Sequence, residues 1–373
     1  MILGVLVFFA VGLSHAAGFL QYVFRFGFED ANTQAQAVAV TSTQMTLFLG
    51  TQFLTAAVFS FRNQLARHLW LAFGVLVWTA GVIGTSFTTT YDQLFGVYAT
   101  LVGVGSSILY WGPLAMAMRS QRETLVVLAF ASLGELVHFW VVAPYLALPI
   151  WRQTMLILGC CGAGLMLPCI LLSYILTPKP SSTKAPERPT FLTPGFAILT
   201  IAALCFNTVA ATPYQQLVNF LTYERGIDRY HVSLTMGMFS LAGLVGRIIP
   251  LPLLMVSNDP MFFLLLTTLV SILVPSGWFL VQEFVGGLLF AVFAGMSSSM
   301  QSSFLMAAIA KLTDNPFVMT PISIISMAFA CVLAGYFYTE VLLFGGFNVA
   351  AGILVGFQSL SFVLTSAAYL FLT

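Results

Sequence analysis

TPKPSSTKAPERPTF, residues 177–191, is a polar stretch rich in Pro, Ser and Lys, and it falls almost at the middle of the chain. Its composition is that of a flexible linker. Six apolar segments precede it, at about 2–26, 36–60, 68–87, 93–117, 124–147 and 152–176. Six more follow, at about 195–222, 231–256, 260–281, 284–310, 316–343 and 347–372. A bilayer-spanning helix needs about 20 apolar residues, and each segment is long enough. The expected fold is an all-α membrane protein of 12 transmembrane helices. Residues 1–176 and 195–373 would form two six-helix bundles, with 177–194 as the linker between them.

Composition agrees with this plan. Of the 373 residues 59% are hydrophobic and 7% charged, against roughly a quarter charged in a soluble domain. A dozen spans would use roughly 260 residues and leave short connections. The run from Ile2 through Phe24 lacks a basic stretch before it and is long enough to span, so it is read as an uncleaved first helix. Net charge is +1, so nothing points to nucleic acid or another strongly charged partner, and no nucleic acid is expected. Cys160, Cys161, Cys169, Cys205 and Cys331 all fall in apolar runs with no ligand-like spacing to histidine, and are read as small core residues. No metal or cofactor is expected.

Loops alternate sides of the membrane, so their basic residues set the orientation. The even loops and the linker hold Arg62, Arg67, Arg119, Arg122, Lys179, Lys184, Arg188 and Lys311; the odd loops hold Arg25, Arg152, Arg225 and Arg229. The excess places both termini and the linker in the cytoplasm, with the plasma membrane favoured over an organelle.

Two six-helix halves joined by a cytoplasmic linker resemble the major facilitator superfamily, whose halves are related by an axis along the membrane normal. More specific text resembles its monocarboxylate-transporter family. Residues 103–159 read GVGSSILYWGPLAMAMRSQRETLVVLAFASLGELVHFWVVAPYLALPIWRQTMLILG, with Gly103, Gly105, Pro113, Arg119, Arg122, Ser132, Gly134, Trp151 and Arg152 at matching places. FSLAGLVGRIIP at 239–250 holds the family's Gly-Arg pair as Gly246 and Arg247. GLSHAAGFLQYVF at 12–24 and FGGFNVAAG at 344–352 add further likeness. The chain also departs from the pattern. Gly243 stands where the family has an acid four positions before the arginine, and Phe19 replaces a basic residue of the first helix. The loop FRNQLARH at 61–68 lacks the usual acidic and basic run. The resemblance implies transport of a carboxylate-bearing solute, and the departures remove part of the usual proton-coupling chemistry.

An ionisable residue inside a spanning helix is a functional candidate by default. Arg247 lies roughly 13 Å inside its helix at about 1.5 Å per residue. Its planar fork of donors matches a carboxylate; the alternative is snorkelling or helix packing. Glu135 lies near mid-bilayer, with His138 one turn on, and the two could relay protons. A neutral hydrogen-bonded Glu135 and a direct Glu135–Arg247 ion pair remain open alternatives. His15, in the first helix, could line the cavity, whereas His68 and His231 at helix starts read as interfacial. Polar groups in other helices complete the candidate set. Asn207, Tyr214 and Gln215 flank Pro213, Tyr110 follows Ser106 and Ser107, and Gln301 lies among Ser297, Ser298, Ser299 and Ser302. Small polar residues also serve close helix packing. Pro113, Pro213 and Pro250 could let helices bend.

The expected function is therefore a secondary transporter of a small organic anion in the lipid bilayer, working by alternating access. The alternative is a transporter-like membrane sensor or complex subunit that no longer transports. A single-span accessory subunit is left unspecified. Four scattered histidines offer no catalytic cluster, so an enzyme is not expected.

Overall fold

The computed structural model describes residues 2–372 apart from 17–19, 22, 25–26, 29–32, 61–62, 118–119, 143–144, 146–149, 177–192 and 313–325. All of the linker except its last two residues therefore lies outside the described residues, as do Phe19, Arg25, Arg62 and Arg119. Helices make up the described architecture, and no strand occurs among the described residues. In chain order they are α1 Gly4–His15, α2 Thr33–Gly50, α3 Gln52–Ser60, α4 Gln64–Thr85, α5 Tyr91–Ala117, α6 Gln121–Val137 and α7 Trp151–Leu176. The second half of the chain supplies α8 Pro194–Asn219, α9 Arg229–Ile248, α10 Pro250–Val256, α11 Pro260–Val270, α12 Leu273–Ser276, α13 Phe284–Leu312, α14 Phe329–Val332 and α15 Tyr338–Leu372.

Among the described residues nine helical stretches are long and apolar enough to cross a membrane: Gln64–Thr85, Tyr91–Ala117, Arg122–Val142, Trp151–Leu176, Pro194–Thr222, Tyr230–Val256, Pro260–Leu280, Phe284–Leu312 and Gly346–Leu372. Gly4–His15 and Ser326–Gly335 are shorter apolar helices. These are the elements of a multi-pass membrane protein.

Local chemistry sets many helix starts. The side chains of Asn63, Thr90, Ser120, Thr193, Asp228 and Asp259 accept hydrogen bonds from the first free backbone N–H groups of α4, α5, α6, α8, α9 and α11. Pro194 and Pro260 then occupy the first helical turn, where the missing N–H is not needed. Apolar text is less informative about breaks. The segment at 231–256 divides at Ile249, before Pro250, and the segment at 260–281 divides between Val270 and Leu273. Wide π-turns at Phe95–Val102, His138–Val142 and Phe220–Glu224 loosen three further helices. Gly346 has φ +70°, a left-handed backbone that glycine adopts without strain, and it kinks α15.

Packing brings α1 onto α6, α4 between α5 and α7, α9 onto α13, and α8 onto α15. Backbones approach most closely at two crossings. A Cβ on Gly134 of α6 would collide with the Phe8 carbonyl of α1, and one on Gly295 of α13 would collide with the Phe239 carbonyl of α9. Three apolar cores result. One is built wholly from residues before 171, including Leu6, Trp78, Tyr98, Trp151 and Met166. A second is built chiefly from residues after 208, including Leu217, Met236, Phe239 and Ala291. The third joins both parts of the chain through Phe48, Trp111, Leu128, Phe206, Phe304 and Cys331.

The outer surface is apolar too. Leu76, Leu171, Ile175, Val256, Leu280 and Leu370 are each at least 60% exposed, an arrangement suited to hydrocarbon rather than water. Cys205 and Cys331 are buried as core residues, but Cys160 and Cys161 are exposed on the outer face of α7. Periodicity explains the correction, since this one face of α7 also carries Ile157 and Leu165 outward.

Candidate functional site

Four helices each bring one polar side chain to a common buried point. His15 ends α1, Glu135 lies near the end of α6, Tyr214 follows the internal Pro213 of α8, and Arg247 lies in the last turn of α9. Glu135 is fully buried and Arg247 is 6% exposed. One carboxylate oxygen, Oε1, accepts from Arg247 Nη2 at 3.1 Å and lies 2.7 Å from His15 Nδ1. The other, Oε2, accepts from the Tyr214 hydroxyl at 3.3 Å. The His15 and Tyr214 rings lean together with centroids 4.4 Å apart, and Tyr214 meets Phe239 edge-on. Charge burial is tolerable here because the carboxylate has partners on both oxygens.

Arg247 spends its remaining donors unequally. Nη1 donates to the Leu128 carbonyl of α6 at 2.8 Å, whereas Nε is buried and makes no hydrogen bond. The guanidinium, His15, Tyr110, Asn207 and Tyr214 line a central cavity of about 100 Å³ together with Ser298, Ser299, Ser302, Met45, Leu49 and Met327. Asn207 Nδ2 is a second buried donor on this wall without a hydrogen bond. Buried donors without acceptors are costly, and two of them belong to residues that line this cavity.

The remaining candidates sit elsewhere. His138 turns away from Glu135: its Nδ1 pairs with the Gly134 carbonyl at 2.8 Å and its ring packs on Phe8 and Phe9. Gln215 bridges helices instead of lining the cavity, accepting from Ser42 at 3.2 Å and donating to the Cys331 carbonyl at 3.3 Å. Gln301 lines a smaller neighbouring cavity. His68 is buried, pairing with the Gln64 carbonyl and Ser173, so only His231 is exposed at a helix start.

No family model matches the chain. Monocarboxylate transporter 12-B of Danio rerio is a curated relative, 25% identical over 227 residues. That match covers 50% of this chain and 47% of the relative, so the chain spans about half of that protein's length. Half of the chain is thus similar to a transporter.

Sequence reasoning passed over several glutamines that join helices around the site. Gln44 Nε2 donates to Ser14 at 2.8 Å, and Ser14 in turn reaches Ser106 at 3.3 Å. Gln21 donates to Thr41 at 2.8 Å and accepts from Asn219 at 2.8 Å, tying the two parts of the chain together. A signal existed, because each is an amide inside apolar text, where an unpaired amide is expensive.

Proposed function

We propose that the chain is a secondary transporter that carries a small carboxylate-bearing solute by alternating access, with 12 helices arranged as two six-helix halves. The single observation that carries this reading is Arg247. A buried guanidinium faces a cavity with an unused Nε–H, beside an Nη2–H already engaged by a carboxylate. Nε and Nη2 form one edge of the fork, which matches the two oxygens of a carboxylate. Asn207 adds a third donor. The relative's printed substrate class, monocarboxylates, agrees with this wall. The division of two apolar cores between the two parts of the chain supports the two-half plan.

Glu135 is the proposed proton carrier. A proton arriving on its carboxylate cancels the charge that holds Arg247, so the guanidinium turns its fork to the incoming anion. Solute and proton then cross together with no net charge added to the buried site. Loss of the proton after solute release restores the Glu135–Arg247 pair. His15, hydrogen-bonded to Glu135 and 13% exposed at its side chain toward the cavity, is the route by which the proton reaches it. The acid thus acts from α6, across from Gly243, instead of from the arginine's own helix.

Binding tests the reading directly. Short monocarboxylates should raise the thermal midpoint of the detergent-solubilised wild type and leave Arg247→Ala and Arg247→Lys unmoved, since lysine keeps the charge but loses the fork. Equal shifts in all three proteins would refute the assigned role.

A further inference from the structure

Next to the central cavity lies a second one of about 20 Å³, lined by α8, α13, α15, Ser271 just after α11 and Val274 of α12. Ala210 and Ser298 line both, so the small chamber adjoins the large one. Its volume exceeds the roughly 10–15 Å³ that a single water-sized group needs. The lining carries Ser271, Ser297, Ser298, Gln301 and Gln358 and no charged side chain.

Hydrogen bonding in the chamber is unbalanced in a specific way. Gln358 Nε2 donates to the Thr268 carbonyl at 3.4 Å, which fixes its amide and leaves Oε1 buried without a hydrogen bond. Gln301 is 2% exposed, and its Nε2 is likewise buried and unbonded. The serines do not relieve them. Ser271 donates to the Thr267 carbonyl at 2.6 Å, Ser297 donates to Ser271, and Ser298 donates to the Gly295 carbonyl at 3.2 Å. The residues lining the chamber therefore include one buried amide with an unpaired donor and one with an unpaired acceptor, beside room for one small group.

We infer that this chamber is a hydroxyl subsite. A hydroxyl oxygen accepts from Gln301 Nε2 while its proton is donated to Gln358 Oε1, satisfying both buried amides at once. An ammonium or a second carboxylate would enter without a counter-charge, which the chamber does not supply. The hydroxyl comes either from a resident water or from the carried solute reaching in past Ser298. The solute source rests on the transport reading above; the water source does not.

Thermal stability in detergent tests the subsite through the sign of the change. With a hydroxyl in place, Gln301→Met and Gln358→Met each lower the midpoint, because each strips one partner from a satisfied chain. The double variant is then no worse than Gln358→Met alone. In a dry chamber Gln301→Met removes an unpaired buried donor and its midpoint rises, whereas Gln358→Met still loses the bond to the Thr268 carbonyl; a rise for Gln301→Met overturns the proposal. A second arm compares butanoate with 3-hydroxybutanoate and propanoate with 2-hydroxypropanoate. If the solute supplies the hydroxyl, the wild type binds the hydroxylated member at least about tenfold more tightly, and Gln301→Met erases the difference. If water supplies it, both members of each pair bind alike in every variant while the stability pattern persists. Failure of every carboxylate to bind, with that pattern intact, refutes the transport reading and leaves the subsite standing.

Discussion

Glu135 has three partners contributed by three other helices, and removing any of them tests a different part of the site. Glu135→Ala leaves Arg247 buried with no counter-charge, a loss of about 3–5 kcal/mol for a buried pair broken on one side. Thermal unfolding in detergent should show that drop, with Glu135→Gln falling less because the amide oxygen still accepts from Arg247 while its NH2 group donates to the Tyr214 hydroxyl. Glu135→Gln should nevertheless abolish the dependence of uptake on external pH, and an unchanged profile would remove Glu135 from the proton path. Both charged residues were legible in the sequence, since hydrocarbon makes an isolated charge conspicuous. Their pairing was one of three alternatives left open, because 112 residues separate them and periodicity alone does not fix which way each helix is rotated; the structure shows the pair. His138 is the nearest histidine in sequence, yet its ring satisfies itself on the Gly134 carbonyl of its own helix. The histidine that meets Glu135 is His15, 120 residues away. Pairing the few mid-helix ionisable residues with one another, whatever their spacing, is the rule that would have found it.

At the level of elements, close backbone crossings carry much of the specificity. Gly134→Leu forces a side chain against the Phe8 carbonyl and should destabilise by about 1–3 kcal/mol or more, read as loss of monodisperse protein on size-exclusion chromatography. Substituting Gly352, which has open space beside it, should leave the elution profile unchanged. The cap of α9 gives a pH-dependent case. Asp228 accepts from the backbone N–H groups of Tyr230 and His231, and the His231 ring beside it holds its carboxyl below the usual range. A depressed carboxyl stabilises above its unfolded value and loses that contribution as pH falls through the folded one. Asp228→Ala should therefore lower the thermal midpoint at neutral pH, by an amount that shrinks as pH falls through the depressed value of the folded carboxyl. Most helix extents were legible from apolar runs bounded by capping residues. The divisions at Ile249 and at 271–272 were not, because hydrophobicity continues unbroken across them.

Across the whole molecule, the polar text at 177–191 and the excess of basic residues on one set of loops predict a cytoplasmic linker. An epitope inserted after Ser182 should bind antibody only in permeabilised cells; binding in intact cells would invert the orientation. Alternating access also requires the two parts of the chain to separate at contacts such as Asn219–Gln21 and Gln215–Ser42. The central claim is that the Arg247 cavity carries a carboxylate across the membrane together with a proton. Uptake of a labelled short monocarboxylate into proteoliposomes, with and without an inward proton gradient, tests it most directly. The account predicts saturable uptake that the gradient accelerates and that Arg247→Ala abolishes. Uptake by folded wild-type protein no greater than that of protein-free liposomes, across a panel of monocarboxylates, would contradict it.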